Sequence, residues 1–329
     1  MAKRNSETLT CWVVTDGNPG MENQCLGLAA ALGVTPVVKR VRNRLPWRWL
    51  LPRMWVCALC APGPKGDRLE PPWPDLLIAT GRQSVALSAA VRRASGGRTF
   101  TVQIQNPDIA SGNFDVVVCP LHDGLAGENV IETLGAMSFV TKESLAQAKE
   151  RFAPLLARLP RPLVACLVGG TNRAYRFTPH LAAQLADGLA QLSRRYGAGL
   201  AVTPSRRTGA EYEALLRDKL APLGAEIWNG RGENPYLGYL AHADAIVVTS
   251  DSVNMVSEAC ATGKPVYVFE LEGGSPKFRR FHDEMKRAGF TRPFDGTLSD
   301  WSHEPLDETK AVAAAIRERL SRHRARLKG

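Results

Sequence analysis

The stretch Thr203-Pro204-Ser205-Arg206-Arg207-Thr208 places two guanidinium groups among hydroxyls, directly after an apolar run. A guanidinium donates two parallel hydrogen bonds to phosphate oxygens, so the stretch suits a phosphate ester, although a solvated basic loop has the same composition. Gly169-Gly170-Thr171-Asn172 follows the apolar LVACLV in the same way. Two residues without side chains let backbone N–H groups approach an anion, and Thr171 and Asn172 add donors. A third polar turn, Ser250-Asp251-Ser252, follows AIVVT. Beyond it Asn254 and Glu258 are four residues apart, which puts both on one helical face. A carboxylate in that position can accept two bonds from a ribose diol.

The first half repeats the arrangement with other chemistry. TDGNPGMENQ, residues 15–24, turns at Gly17 and Gly20 and carries Asp16, Asn23 and Gln24 just before an alanine- and leucine-rich run. The start of a helix presents free N–H groups and a positive dipole end to an anion, but a plain glycine turn would read identically. The stretch is not GxGxxG, and no ribose-binding acid stands at the interval a dinucleotide site needs. Gly81 and Arg82 open another helix after LLIAT, and His122-Asp123 ends FDVVVCPL. Asp16, His122 and Asp123 are the candidates for a general base; a capping aspartate beside an exposed histidine gives the same pair.

These turns need strands to end at them and helices to begin. Short β-branched runs alternate with longer alanine- and leucine-rich ones, which predicts βα units around a parallel sheet. Strands are expected at Thr10–Thr15, Thr35–Val41, Asp75–Ala79, Thr101–Gln105 and Phe114–Cys119, with helices at Met21–Leu32 and Gln83–Arg93. A second set runs from Leu163–Val168 to Pro265–Glu270, including helices at Pro179–Tyr196 and Ser252–Ala261. Between the sets, FAPLLARLPRP reads as a boundary. At 329 residues the chain exceeds the roughly 250–300 that one core usually supports. The expected organisation is α/β, with residues 1–155 and 156–305 as two Rossmann-like domains and 306–329 as a basic helix that packs back on the first or faces a partner. Residues 1–8 are expected to be a frayed tail.

Composition narrows the class. With 44% hydrophobic and 22% charged residues the chain is globular, and a net charge of +10 favours an anionic partner. Seven cysteines, mostly inside apolar runs, read as reduced thiols. Cys57 and Cys60 form a lone CxxC without further ligand pairs, which favours two packed thiols over zinc. No stretch has the length of a signal peptide's apolar core or of a membrane span, so a cytoplasmic protein is expected.

The segment ADAIVVTSDSVNMVSEACATGKPVYVFEL resembles the sugar-nucleotide region of GT-B glycosyltransferases, and the GGT loop resembles their diphosphate loop. More widely, TDGNPGMENQCLGLAAALG, LIATGRQS, VQIQNP, FDVVVCPLHD, GGTN, SRRTG, SDSVNMVSEACATGKPV and KFRRFHDEM are similar to the mitochondrial fission ELM family over roughly residues 10–295. The resemblance implies a GT-B-like fold, two Rossmann-like domains facing a central cleft, with a UDP- or GDP-linked sugar held by the second domain and no metal or other cofactor required. Glu258 would bind ribose, while Gly170, Thr171, Ser252 and Asn254 would line the diphosphate and sugar. Ser205, Arg206 and Arg207 join that pocket by position and charge. Because the second half then supplies the nucleotide site, Asp16, Gly17, Gly20, Asn23, Gln24, Gly81 and Arg82 are assigned to the acceptor side of the cleft. The implied activity is sugar transfer to a lipid or envelope-saccharide acceptor. Two alternatives stay open. One is a sugar-nucleotide epimerase or hydrolase; the other is a non-catalytic adaptor, since the family includes a plant protein associated with dynamin-related proteins on mitochondria. The compact length favours a bacterial source.

KRVRNRLPWRWLLPRMWVCAL, residues 39–59, combines six basic residues and three tryptophans with no acid. Arginine suits anionic head groups and tryptophan suits the lipid interface, so the segment reads as a peripheral membrane dock. Tryptophans that pack inward are the alternative. No nucleic-acid motif is present.

Overall fold

A computed structural model describes residues 9–328, so the tail expected at residues 1–8 lies outside the described residues. The chain divides into two compact units: one holds the described residues up to Thr133 together with those from Glu308, and the other is Leu134–Asp307.

The first unit is built from β1 (Cys11–Thr15), α1 (Pro19–Leu32), β2 (Pro36–Arg40), β3 (Leu76–Thr80), α2 (Arg82–Ala94), β4 (Phe100–Ile104), β5 (Val116–Pro120) and β6 (Val130–Thr133). Its parallel sheet runs β2-β1-β3-β4-β5-β6. β3 and β4 are buried along their whole length, as β-branched and apolar runs must be when a sheet is covered on both faces. β6 escapes sequence reading because a four-residue strand, VIET, is too short to show a period.

The second unit contains α3 (Lys142–Leu156), β7 (Leu163–Val168), β8 (Tyr175–Arg176), α4 (Pro179–Tyr196), β9 (Gly199–Pro204), α5 (Ala210–Leu220), β10 (Glu226–Ile227), α6 (Tyr236–His242), β11 (Ala245–Thr249), α7 (Val253–Cys260), β12 (Val266–Phe269), β13 (Glu272–Gly273), α8 (Pro276–Arg287) and β14 (Arg292–Pro293). Its main sheet, also parallel, runs β10-β9-β7-β11-β12-β14. Local chemistry explains α4. The Thr178 hydroxyl accepts from Leu181 N–H, Pro179 opens the first turn, and Ala182, Leu185, Ala186 and Leu189 form the buried stripe.

The units divide at 133/134, not at the expected 155/156. FAPLLARLPRP does not separate them: Phe152 to Leu156 belong to α3, which continues past Pro154 and packs against α6 of the second unit. A proline two residues from a helix end removes one hydrogen bond where the ladder is already running out.

α9 (Glu308–Lys328) rests on α1 in the first unit, burying Thr309, Val312, Ala313, Ile316 and Leu320 as one helical stripe. The Arg317 guanidinium donates to the Ala31 carbonyl, at the last turn of α1. Ile316→Val is expected to lower stability by about 1 kcal/mol, read as a lower urea midpoint. An unchanged midpoint would contradict this docking.

Cys57 and Cys60 are joined by a disulfide where two separate thiols were expected. The turn Ala58–Cys60 brings their Cα atoms to 5.6 Å, within bonding range. The other five cysteines are buried and form no disulfide. No helix among the described residues is long and apolar enough to cross a membrane.

Candidate functional site

In a doubly wound sheet, ligands bind beyond the carboxyl ends of the strands where the winding reverses. In the second unit the chain winds from β7 to β9 and β10, then returns to lay β11 and β12 on the other side of β7. The reversal therefore lies between β7 and β11. Gly169-Gly170 leaves β7 and Ser250-Asp251-Ser252 leaves β11 at this point, with Ser205 to Thr208 following the adjacent β9. Topology thus gathers three of the sequence-predicted loops.

Their contacts centre on Asp251, whose side chain is fully buried. Its carboxylate accepts from Gly170 N–H at 3.1 Å, from the Thr249 hydroxyl at 2.7 Å and from Arg207 Nη2 at 2.7 Å. Thr249 Oγ1 in turn accepts from Gly169 N–H at 2.7 Å. Asn172 Nδ2 donates to the Asp251 carbonyl at 3.1 Å, and its Oδ1 accepts from Ala174 and Tyr175 N–H. The Ser205 hydroxyl donates to the Gly169 carbonyl at 3.0 Å.

This closeness is why glycine stands at 169 and 170. A Cβ on Gly169 would lie 2.0 Å from Asp251 Oδ1, and one on Gly170 would lie 2.0 Å from the Arg207 carbonyl. Asp251 and Arg207 are therefore braces of the loops. Arg206 is different: it is exposed, and no carboxylate pairs with it among the described residues. Thr171 is also exposed, with Oγ1 accepting from Phe177 N–H. Ser250 is buried and its hydroxyl accepts from Leu271 N–H.

Ser252 caps α7, where its hydroxyl accepts from Met255 N–H at 3.3 Å. Asn254 and Glu258 share this helix, Asn254 half-buried and Glu258 buried. The Tyr236 hydroxyl, at the start of α6, donates to Glu258 Oε2. Burial pushes the Glu258 carboxyl up to about 7, and the Tyr236 bond opposes this in part. Tyr236 itself is raised well above its ordinary value, again first by burial and then by the adjacent carboxyl. Sequence reading missed Tyr236, because nothing local marks a tyrosine as the partner of an acid 22 residues away.

The first unit has its own reversal, between β1 and β3. The Asp16–Gly20 turn and Gly81-Arg82 both sit there. Asp16 is exposed, and its Oδ1 accepts from Asn18 N–H at 3.1 Å. Asn18 caps α1 by accepting from Gly20 N–H. Asn23 is half-buried and Gln24 is buried. Arg82 Nη2 donates to the Arg48 carbonyl at 2.7 Å. His122 and Asp123 lie elsewhere, in a single turn after β5, with side chains only 3% and 5% exposed. β5 is three strands from β1, a separation of roughly 14 Å, so Asp16 and the His122-Asp123 pair do not form one cluster.

Residues 19–320 match the protein family described as "Mitochondrial fission ELM1". The Mitochondrial fission protein ELM1 of Arabidopsis thaliana is 29% identical, over 94% of this chain and 90% of that protein. Among solved structures, UDP-GlcNAc 2-epimerase from Methanocaldococcus jannaschii aligns with a TM-score of 0.56 at 11% identity, over 94% of this chain and 99% of that one. The Neisseria meningitidis UDP-GlcNAc 2-epimerase bound to UDP-GlcNAc aligns with a TM-score of 0.52 at 11% identity, over 94% and 100%. At this identity the likeness establishes the fold alone, a GT-B-like α/β architecture.

Proposed function

This chain belongs to the mitochondrial fission ELM1 family, and we propose that it binds a nucleotide-sugar in its second unit and transfers the sugar to a lipid or cell-envelope saccharide at the inner face of a membrane. The observation that carries this reading is the set of loops gathered where the second sheet reverses, with Arg206 unpaired among the described residues and Glu258 one helix away. The bound ligand named for the Neisseria neighbour makes UDP-GlcNAc the first compound to try.

In this reading Arg206 and the hydroxyls of Thr171 and Ser252 take the diphosphate, and Glu258 takes the ribose diol. A cation beside the leaving diphosphate stabilises the charge that develops as the sugar departs. Asp16 is assigned as the base for the acceptor hydroxyl, ahead of His122 and Asp123, because it is exposed and stands at a sheet reversal while they are buried. Residues 39–59 hold the protein at an anionic membrane surface.

Glu258→Ala and Arg206→Ala are each expected to weaken UDP-GlcNAc binding by about tenfold or more, since a hydrogen bond to a charged group contributes roughly 1.5–3 kcal/mol. Calorimetry across a panel of UDP- and GDP-sugars measures this, and product analysis with and without acceptor separates a transferase from an epimerase or hydrolase. Absence of binding by the unaltered protein to every sugar nucleotide sinks the reading.

One observation favours a non-catalytic adaptor instead. Gly170 N–H and Arg207, which a diphosphate would use, already hold Asp251, and Glu258 already holds Tyr236. An adaptor predicts that both alanine variants keep full function in cells.

A further inference from the structure

The segment between β2 and β3 is tied down, yet it leaves apolar side chains in solvent. Trp47 Nε1 donates to the Val56 carbonyl at 2.9 Å, and Trp55 Nε1 donates to the Leu50 carbonyl at 3.2 Å. Asn43 Nδ2 donates to the Gln83 carbonyl at 2.9 Å, and Arg82 and Gln83 both donate to the Arg48 carbonyl. The turn Pro52–Met54 rests on α2, with Pro52 and Trp55 buried. Held this way, Trp49 remains 75% exposed, Val56 82%, and Leu45, Leu51 and Met54 about half. A fixed loop that keeps five large apolar groups in water is adapted to something that covers them.

Charge indicates what that is. Arg42, Arg44, Arg48 and Arg53 are exposed within the same segment, none has a carboxylate partner among the described residues, and residues 39–59 contain no acid, Asp67, Glu70 and Asp75 lying nearer β3 in sequence. A cavity of about 460 Å³ opens beside Pro52, Arg53 and Trp55. Arg93 of α2 joins Arg53 in its lining, Ala86, Ala89 and Ile109 supply apolar wall, and the exposed Asp108 leaves two cations against one acid. Two arginines and several apolar side chains lining one cavity match a phosphate carried on a hydrocarbon chain, and a free phosphate would leave those apolar side chains uncovered.

We propose that this cavity holds the phosphate head group of an anionic lipid, with Arg53 and Arg93 on its oxygens and the first methylenes against Trp55, Ala86 and Ile109, while Trp49, Met54 and Val56 enter the surrounding bilayer interface. The inference deepens the membrane side of the proposed function and rests on it. It does not require the nucleotide site.

The test is co-sedimentation of the full chain with phosphatidylcholine vesicles, with and without phosphatidylglycerol. Each arginine near an anionic surface contributes about fivefold, so the Arg53→Ala, Arg93→Ala double variant is expected to lose roughly thirtyfold in affinity for the anionic vesicles. The Arg326→Ala, Lys328→Ala double variant, with the same change in charge at the end of α9, is expected to stay within about twofold. Trp49→Ala is expected to lose several-fold on the same vesicles, and its exposed position leaves folding intact, checked by the thermal midpoint. Excess inorganic phosphate is expected not to release the protein. Equal losses in the two double variants, or release by phosphate alone, would overturn the lipid pocket while the membrane reading stood. Equal binding of the unaltered chain to both vesicle types, or to neither, would overturn the membrane reading and the pocket together.

Discussion

Asp251→Ala is expected to lower the stability of the second unit by about 3–5 kcal/mol, the range found when one partner of a buried charge pair is removed. The carboxylate is fully buried and joins three loops, through Gly170 N–H, the Thr249 hydroxyl and Arg207. Alanine leaves a buried N–H and a buried hydroxyl without their acceptor, each worth roughly 1–3 kcal/mol. Arg207 is 44% exposed and recovers solvation when released, which places the loss toward the lower end of the range. Asp251→Asn keeps the shape and one acceptor oxygen and is expected to lose less. Urea unfolding measures both variants. A loss below about 1 kcal/mol for alanine would mean that the loops hold without their central anion.

The second large effect is on pH. Glu258 is pushed from an ordinary 4.5 up to about 7 by burial, so the folded state holds this proton more tightly than the unfolded chain. The stability this preference supplies is complete below the unfolded value and is lost as pH rises through the folded one. Between about pH 4.5 and 7 the loss is on the order of 3 kcal/mol, because each tenfold difference in proton affinity is worth about 1.4 kcal/mol. Tyr236 keeps its proton throughout this interval, because its own value is raised well above 10. Glu258→Gln is expected to be flat over the interval relative to the unaltered chain. Parallel slopes for the two proteins would remove Glu258 as the cause. The same change bears on function: a ribose diol donating to this carboxylate favours its ionised form, so nucleotide binding near pH 6.5 should release a proton. Calorimetry in buffers of different ionisation enthalpy reads that release directly.

Local chemistry explains how much could be read without coordinates. β7, β11, α4 and α9 stand where the apolar runs, caps and helical stripes place them, because each of those signals acts over a few residues. The loops bearing Gly169, Ser205 and Ser250 were legible for the same reason: each begins where a buried strand runs out. α8 was missed because its two buried anchors, Phe281 and Met285, are set among charged residues and too few to dominate the pattern. α3 was hidden by Pro154, which reads locally as a breaker and is accommodated by packing on α6.

What lies beyond that range belongs to contacts distant in sequence. Asp251 meets Gly170 across 81 residues and Tyr236 meets Glu258 across 22, and neither acid announces whether it awaits a ligand or already has a partner. Residue type alone does not separate Trp55, which is buried, from Trp49, which is exposed; the indole bonds and the turn resting on α2 do. The order of residues set the strands, the helices and the positions of the polar turns, since those follow from backbone propensity and short-range periodicity. Sheet winding then chose which turns would meet and whether their charges would be spent on one another, because both depend on strands that are neighbours in space and far apart along the chain.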